Sequence, residues 1–116
     1  MPILRIWRAE IRRALRHEYL DYLQATGVAA YQATPGNLGT SIAMRDLDEE
    51  RSEVATLSWW TGMDAIRQFA GDATERARYF PEDDRFLLTR PDTVVHFDAT
   101  LSVTTAGGVR TTGETP

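Results

Sequence analysis

The order in which strand-like and helix-like periodicities follow each other most constrains what this chain can fold into. Residues 3–10 (ILRIWRAE) alternate between two faces, as a strand does, and helical spacing follows as far as Gly27, a natural helix end. Residues 31–40 (YQATPGNLGT) have the composition of a loop. The strand-like runs 40–47 (TSIAMRDL) and 53–60 (EVATLSWW) flank an acidic turn, which predicts a β-hairpin.

The second half of the chain repeats the succession of helix and strand. Thr61 is placed to cap a second helix in a T-x-x-D pattern, and Gly71 is placed to end it. Asp72 begins a second capping pattern, which predicts one or two further helical turns that end before Pro81. Residues 93–103 (TVVHFDATLSV) form the last predicted strand.

The resulting order, β-α-β-β-α-β, is that of a ferredoxin-like α+β domain with a four-stranded antiparallel sheet and both helices on one face. We assign residues 1–103 to a single domain of this kind and residues 104–116, which are rich in Thr and Gly, to a flexible tail. The other face of the sheet carries large apolar groups that no further element covers. We therefore expect a homodimer formed through that face.

Composition excludes several classes of function. The net charge of −4 argues against nonspecific binding of nucleic acid, where a basic surface is expected. The sequence has no cysteine, which excludes disulfides and thiolate sites. No run of about 18 apolar residues is present, and the basic start lacks the apolar stretch of a signal peptide, so we expect no membrane association and a cytoplasmic location.

A few strand side chains could carry chemistry, and we expect them on the sheet face away from the helices. His96 on the last strand fits two roles: a general base, because histidine titrates near neutral pH, or a hydrogen-bonded structural residue. Trp59 and Trp60 point to opposite faces, so one packs beneath the helices and the other lines the open face. Arg5 shares a side with Trp7 on the first strand and would need an anionic partner or ligand if it were enclosed.

An acidic run in the stretch FAGDATERARYFPEDDRFLL raises the question of a metal site. Glu82, Asp83 and Asp84 are adjacent rather than at calcium-loop spacing, and no glycine turns the loop. We therefore expect no metal there. The three acids fall in a turn, where they are solvated or pair with arginines such as Arg78 and Arg85.

Four motifs together resemble a known family. They are GNLG (36–39), SWWTGMDAIRQFAG (58–71), ARYFPED (77–83) and VVHF (94–97). In this order they resemble small single-domain proteins of the antibiotic biosynthesis monooxygenase-like family, in the dimeric α+β barrel superfamily. The resemblance covers roughly residues 3–103.

The resemblance implies a dimer whose two sheets pack face to face, with a ligand pocket between sheet and helices in each protomer. The better-known members oxygenate polycyclic aromatic polyketide intermediates without metal, flavin or other cofactor, so it implies no cofactor. In that reaction a phenol or activated C–H is deprotonated and the electron-rich substrate reacts with dioxygen. The protein supplies orientation and stabilises the anion.

Residue by residue, the resemblance implies His96 as the base and Arg5 or Asn37 as the group that stabilises an oxyanion. The implied pocket walls are Trp60, Tyr79, Phe80 and Trp7. Haem-degrading members of the superfamily also carry a tryptophan on the third strand, but they use a first-strand asparagine and an axial histidine on the second helix. Here the helix stretch 62–80 contains no histidine, which argues against haem chemistry.

Two functional hypotheses follow. One is a cofactor-independent monooxygenase, or a related isomerase or cyclase, that acts on a planar aromatic or polyketide-like substrate. The other is a non-catalytic small-molecule-binding or dimeric assembly module of the same fold. An open pocket favours the first, whereas a very small pocket and a histidine held by protein partners favour the second.

Overall fold

The computed structural model describes residues 1–103 and 105. The tail predicted over 104–116 therefore lies outside the described residues, except at position 105. The strands are β1 (Ile3–Arg12), β2 (Asn37–Asp46), β3 (Arg51–Trp60) and β4 (Val95–Asp98). The helices are α1 (Arg16–Leu23), α2 (Ala29–Ala33) and α3 (Met63–Ala70), with 3-10 turns at Arg13–Leu15 and Asp83–Arg85 and a π-helical turn at Gln24–Val28.

The four strands form one antiparallel sheet in the order β2-β3-β1-β4, which confirms the predicted ferredoxin-like α+β fold. β1 lies centrally, pairs along its whole length with β3, and pairs through its first residues with β4. This register places Arg5 between Ser58 on one side and His96 on the other. The β2–β3 hairpin is also as predicted.

The first helical region is longer than predicted, because Gly27 does not end it. Gly27 lies in the π-helical turn between α1 and α2, and its backbone does not adopt the positive φ of a helix-ending glycine. It is buried, and a Cβ added there would lie 3.9 Å from the ring of Phe80. The helix ends instead at Ala33, before Thr34 turns extended ahead of Pro35.

The second predicted helix corresponds to α3, which ends at Gly71 as predicted, with φ +86°. The residues on either side of α3 differ from the prediction. Its N-cap is Gly62 rather than Thr61, and no side chain caps it. The helical turns predicted after Asp72 are also absent from this described stretch. Residues 75–77 instead run beside residues 92–94, where Ala77 N–H donates to the Asp92 carbonyl at 2.9 Å. The predicted last strand is regular only over Val95–Asp98.

The two faces of the sheet differ in how far their side chains are buried. The face under the helices is built from alternate residues such as Trp7 and Ile11 on β1 and Val54 and Trp60 on β3, all of which are buried. His96 lies on this same face, beside Arg5. The expectation that functional side chains lie on the open face was therefore wrong: strand alternation alone could not tell which face the helices cover.

None of the helices in the described part of the chain has the length and apolarity that crossing a membrane requires.

Candidate functional site

A cleft lies between the helical region and the sheet, at the boundary between two apolar clusters of the core. It encloses about 480 Å³ of empty space with its open entrance included, and its deep part has room for only a few water molecules. Its lining is aromatic and aliphatic, with a few polar groups that include two arginines, Arg5 and Arg78. This is the composition typical of small-molecule sites.

Arg5 is the charged group most deeply set in the cleft, with 2% of its surface exposed. Its Nη1 donates to the carbonyl of Thr74, and its Nη2 donates to the carbonyl of Arg76 at 2.9 Å. The segment predicted as helical thus runs in an irregular path that offers carbonyls to Arg5. Burial lowers the pKa of Arg5, but a guanidinium titrates so far above neutral pH that it stays cationic.

His96 holds the guanidinium of Arg5 on the strand side. Arg5 Nη1 lies 2.9 Å from His96 Nε2, and because arginine has no acceptor, His96 Nε2 accepts and Nδ1 carries the proton. Burial, and then the charge of Arg5, lower the pKa of His96, against a smaller opposing effect of Glu75. A neutral imidazole is therefore the favoured form at neutral pH.

No carboxylate within the described residues pairs with Arg5. Its Nε–H and its second Nη2–H also have no protein acceptor in that part of the chain. A buried cation without an anionic partner is costly, and these N–H groups without a protein acceptor are suited to an oxyanion.

Aromatic side chains form the walls of the cleft. Trp7 and Tyr79 pack edge to face with centroids 6.0 Å apart, and Trp7 Nε1 donates to the Tyr79 hydroxyl at 3.1 Å. The Tyr79 hydroxyl in turn donates to the carbonyl of Pro91. Phe80 packs near Gly27, where an added Cβ would lie 3.9 Å from its ring, an ordinary van der Waals distance. Trp7, Tyr79 and Phe80 are therefore brought together as the sequence predicted.

Among the described residues Asp83 is the one carboxylate that lines the cleft, and it is not the solvated turn residue that the sequence suggested. It is buried, it accepts from Phe80 N–H at 2.6 Å, and it lies 3.4 Å from the Tyr19 hydroxyl. Burial raises the pKa of Asp83. Its two contacts fix the turn that carries Phe80. Asp84, by contrast, is exposed and pairs with Arg90.

Three predicted site residues do not line the cleft: His96, which contacts Arg5 from the strand side, Trp60 and Asn37. Trp60 is fully buried behind the cleft, where its Nε1 donates to Ser58 Oγ at 2.9 Å and its ring supports Tyr31 and Phe69. Asn37 lies at the start of β2, and its Nδ2 donates to the carbonyl of Trp59 at 3.2 Å. In this conformation Asn37 bridges two strands rather than lining the cleft.

The sequence does not predict several residues that line the cleft, among them Tyr31, Arg78 and Phe69. Tyr31 was assigned to a loop, yet it lies in α2, and its hydroxyl lies 3.3 Å from Thr56 Oγ1. Arg78 was considered only as a partner for the acidic turn. The available signal for Arg78 was its place in the ARYF motif, two residues before an aromatic wall residue. Phe69 lies within the SWWTGMDAIRQFAG motif, and its contacts with the guanidinium groups of Arg5 and Arg78 depend on the tertiary fold.

Neither a protein-family model nor a curated protein sequence matches the chain. Solved structures do match. A protein from Bacillus cereus assigned as an antibiotic biosynthesis monooxygenase is 8% identical, with a TM-score of 0.59 over 88% of this chain and 98% of that one.

Two matching structures are of heme-degrading proteins or their variants. The heme-degrading protein Rv3592 from Mycobacterium tuberculosis, in heme-free form, is 22% identical, with a TM-score of 0.56 over 89% of this chain and 99% of that one. A mutant of MhuD with two manganese protoporphyrin IX molecules bound per active site is 22% identical. Its TM-score is 0.52 over 87% of this chain and 97% of that one. The chain has the ferredoxin-like fold of these proteins. The resemblance to antibiotic biosynthesis monooxygenase-like proteins is thus confirmed at the level of the fold.

The cleft of this monooxygenase-like fold does not suit a haem held by an axial histidine. Neither histidine lines it: His17 is exposed on α1, and the Nε2 of His96 accepts a hydrogen bond from Arg5. On α3 the residue that faces the cleft is Phe69, which cannot ligate iron. The donor set of the cleft instead favours an organic anion.

Proposed function

We propose that the protein binds a planar aromatic small molecule as its phenolate or enolate anion, and oxygenates it without a cofactor. The observation that carries the proposal is the guanidinium of Arg5, which is buried at the cleft without a carboxylate partner in the described residues and has two N–H groups without a protein acceptor there. An anion stabiliser fixed in advance in a site of low polarity is the main requirement of this chemistry. The aromatic walls supply the surface against which a flat ligand stacks.

The reaction that such a site would assist is balanced without an added reductant. A CH₂ group conjugated with a ketone through aromatic rings, as in anthrone, loses a proton to give an enolate, which transfers electrons to dioxygen. One oxygen atom enters the substrate as a new carbonyl, and the other leaves as water with the two hydrogens of the CH₂ group. Arg5 would lower the pKa of the substrate and hold the oxyanion while dioxygen reacts.

The predicted role of His96 as the base remains a prediction. In the described conformation its Nε2 lone pair accepts from Arg5, so it could take a substrate proton only after Arg5 turned towards the ligand. The same hydrogen bond gives His96 a second role, as the residue that orients Arg5. The two roles differ experimentally, because a glutamine at position 96 could accept from Arg5 but could not act as a base.

Oxygen consumption with anthrone and related quinol substrates tests this proposal. We expect protein-dependent uptake of one dioxygen per anthrone, with appearance of the quinone, above the rate without protein. Arg5→Gln should remove most of this activity, whereas Arg85→Gln, which changes the net charge equally outside the cleft, should keep it. Absence of both turnover and binding over the whole panel would contradict the proposal.

A second candidate is the non-catalytic binding module. It is favoured by the narrow deep part of the cleft and by the engagement of His96 Nε2 with Arg5. It shares the anion site but predicts saturable binding of anthrone-like ligands without oxygen uptake. The binding and uptake measurements together therefore separate the two candidates.

We also propose that the protein is a homodimer through the open face of the sheet. Phe97 and Val95 on β4 are 55% and 54% exposed, and by register they flank Leu4 and Ile6 of β1 on that face. An apolar face of this kind, rimmed by the ion pairs of Glu53, is typical of self-association.

A further inference from the structure

Arg78 is a second cation at the cleft that the proposed reaction does not use. Its guanidinium lies 4.9 Å from the ring centroid of Phe69 and 5.0 Å from that of Phe80. Its Nη1 donates to the carbonyl of Phe69 at 3.0 Å. Two rings and a carbonyl thus hold a side chain that is otherwise exposed, so its position at the entrance is fixed rather than free.

Arg5 and Arg78 flank the same aromatic ring. Arg5 Cζ lies 5.7 Å from the centroid of Phe69, on whose ring Arg78 also packs. Within residues 1–103 and 105 neither arginine forms an ion pair. One carboxylate among the described residues lines the cleft, Asp83, and it accepts from the backbone N–H of Phe80 rather than from either arginine. The cleft thus carries two arginines against a single carboxylate.

We infer that the ligand carries a second anionic group, such as a carboxylate, which binds Arg78 at the entrance while the phenolate or enolate binds Arg5. This inference rests on the proposed function and deepens it, because it narrows the ligand to a planar aromatic dianion. A carboxylate would accept hydrogen bonds from the guanidinium N–H groups of Arg78 that do not donate to the Phe69 carbonyl. The rings of Phe69 and Phe80 meanwhile keep the guanidinium plane in place.

The test compares two probes that differ by one anionic group: naphthalene-2-carboxylate and naphthalene-2,6-dicarboxylate. Titration by tryptophan fluorescence or calorimetry gives Kd for each on the full chain at neutral pH. We expect the dicarboxylate to bind about fivefold more tightly, as for a partly exposed ion pair. In Arg78→Gln this preference should vanish, while the Kd of the monocarboxylate should stay within about twofold.

Arg85→Gln is the matched control. It removes one positive charge, as Arg78→Gln does, but Arg85 lies outside the cleft and pairs with Glu18. It should keep the dicarboxylate preference. Equal loss in both variants would overturn the inference, since it would mean that net charge alone attracts the dianion. Thermal melts of each variant verify that the fold is retained.

The outcomes separate this inference from the proposed function. If the monocarboxylate binds and Arg5→Gln abolishes its binding, but the dicarboxylate binds no more tightly, the Arg78 inference fails and the anion site of Arg5 stands. If neither probe binds the wild-type protein, both fail. A dicarboxylate preference that depends on Arg78 and not on Arg85 supports the inference.

Discussion

Replacing His96 is expected to destabilise the protein in a way that depends on whether the replacement can accept a hydrogen bond. His96→Leu removes the acceptor of Arg5 Nη1, which lies 2.9 Å from Nε2, and leaves a donor of a buried cation unpaired. Hydrogen bonds to charged groups contribute about 1.5–3 kcal/mol. For a chain of this length, such a loss corresponds to a fall in Tm of about 6–12 °C. His96→Gln can present its side-chain oxygen to Arg5 and should recover most of this stability.

The pH dependence of stability gives an independent check on the same contact. Because the pKa of His96 lies below its ordinary value of 6.5, the unfolded chain binds the proton more readily than the folded chain. The stability that the neutral imidazole contributes is therefore present above pH 6.5 and is lost as the pH falls towards the lower pKa of the folded state. Wild type should lose stability relative to His96→Gln over that window, and the two should run parallel above it.

Thermal and urea unfolding, followed by circular dichroism at pH 7.5 and at steps down to pH 5, measure both effects. His17, the other histidine, is exposed on α1, which makes His17→Gln the control. Equal stability of His96→Leu and His96→Gln, or a wild-type curve that runs parallel to that of His96→Gln at every pH, would refute the proposed contact between His96 and Arg5.

Three further predictions concern residues outside the cleft. Gly36→Ala should lower the free energy of unfolding by more than about 1 kcal/mol, because φ is +91° and the new Cβ would lie 2.5 Å from that of Ala65. Gly39→Ala is the control: its new Cβ meets nothing within 4 Å, so its melting temperature should stay near that of the wild type. Phe97→Arg should convert the proposed dimer to a monomer in light scattering, and a variant that stays dimeric would rule out the open face as the interface. Asn37→Ala should lower stability by about 1 kcal/mol without changing Kd for an aromatic anion, and lost binding would place Asn37 in the site after all.

The fold could be predicted from local patterns because its strands and hairpin are defined by them. The alternating residues of β1 and β3 predict strands at these positions, and the order of the elements along the chain predicts the topology of the sheet. The prediction failed where a distant contact decides the local structure. Residues 75–77, predicted as helical, hydrogen-bond instead with residues 92–94, and Gly27, predicted to end a helix, lies buried within the helical region.

The candidate site was only partly predictable for the same reason. Arg5, Trp7, Tyr79 and Phe80 could be named because each belongs to a strand position or a motif. Their distances to one another, and the burial of Arg5, depend on contacts between residues far apart in sequence, such as those of Arg5 with Thr74 and His96, which lie 69 and 91 positions away. A sequence has no local signal for which arginine among 13 basic residues is buried without a carboxylate.

The central claim is that Arg5 holds the anionic form of an aromatic ligand, and the ionisation of a bound chromophore tests it most directly. A hydroxyanthraquinone changes its visible absorption when its phenol ionises, so a pH titration of the bound dye reads the pKa of the ligand itself. A nearby cation should lower that pKa by about one to three units relative to the dye in water. Arg5→Gln should remove the shift, while Arg85→Gln should preserve it. A bound dye whose pKa equals or exceeds its value in water, or whose shift is the same in Arg5→Gln, would contradict the claim.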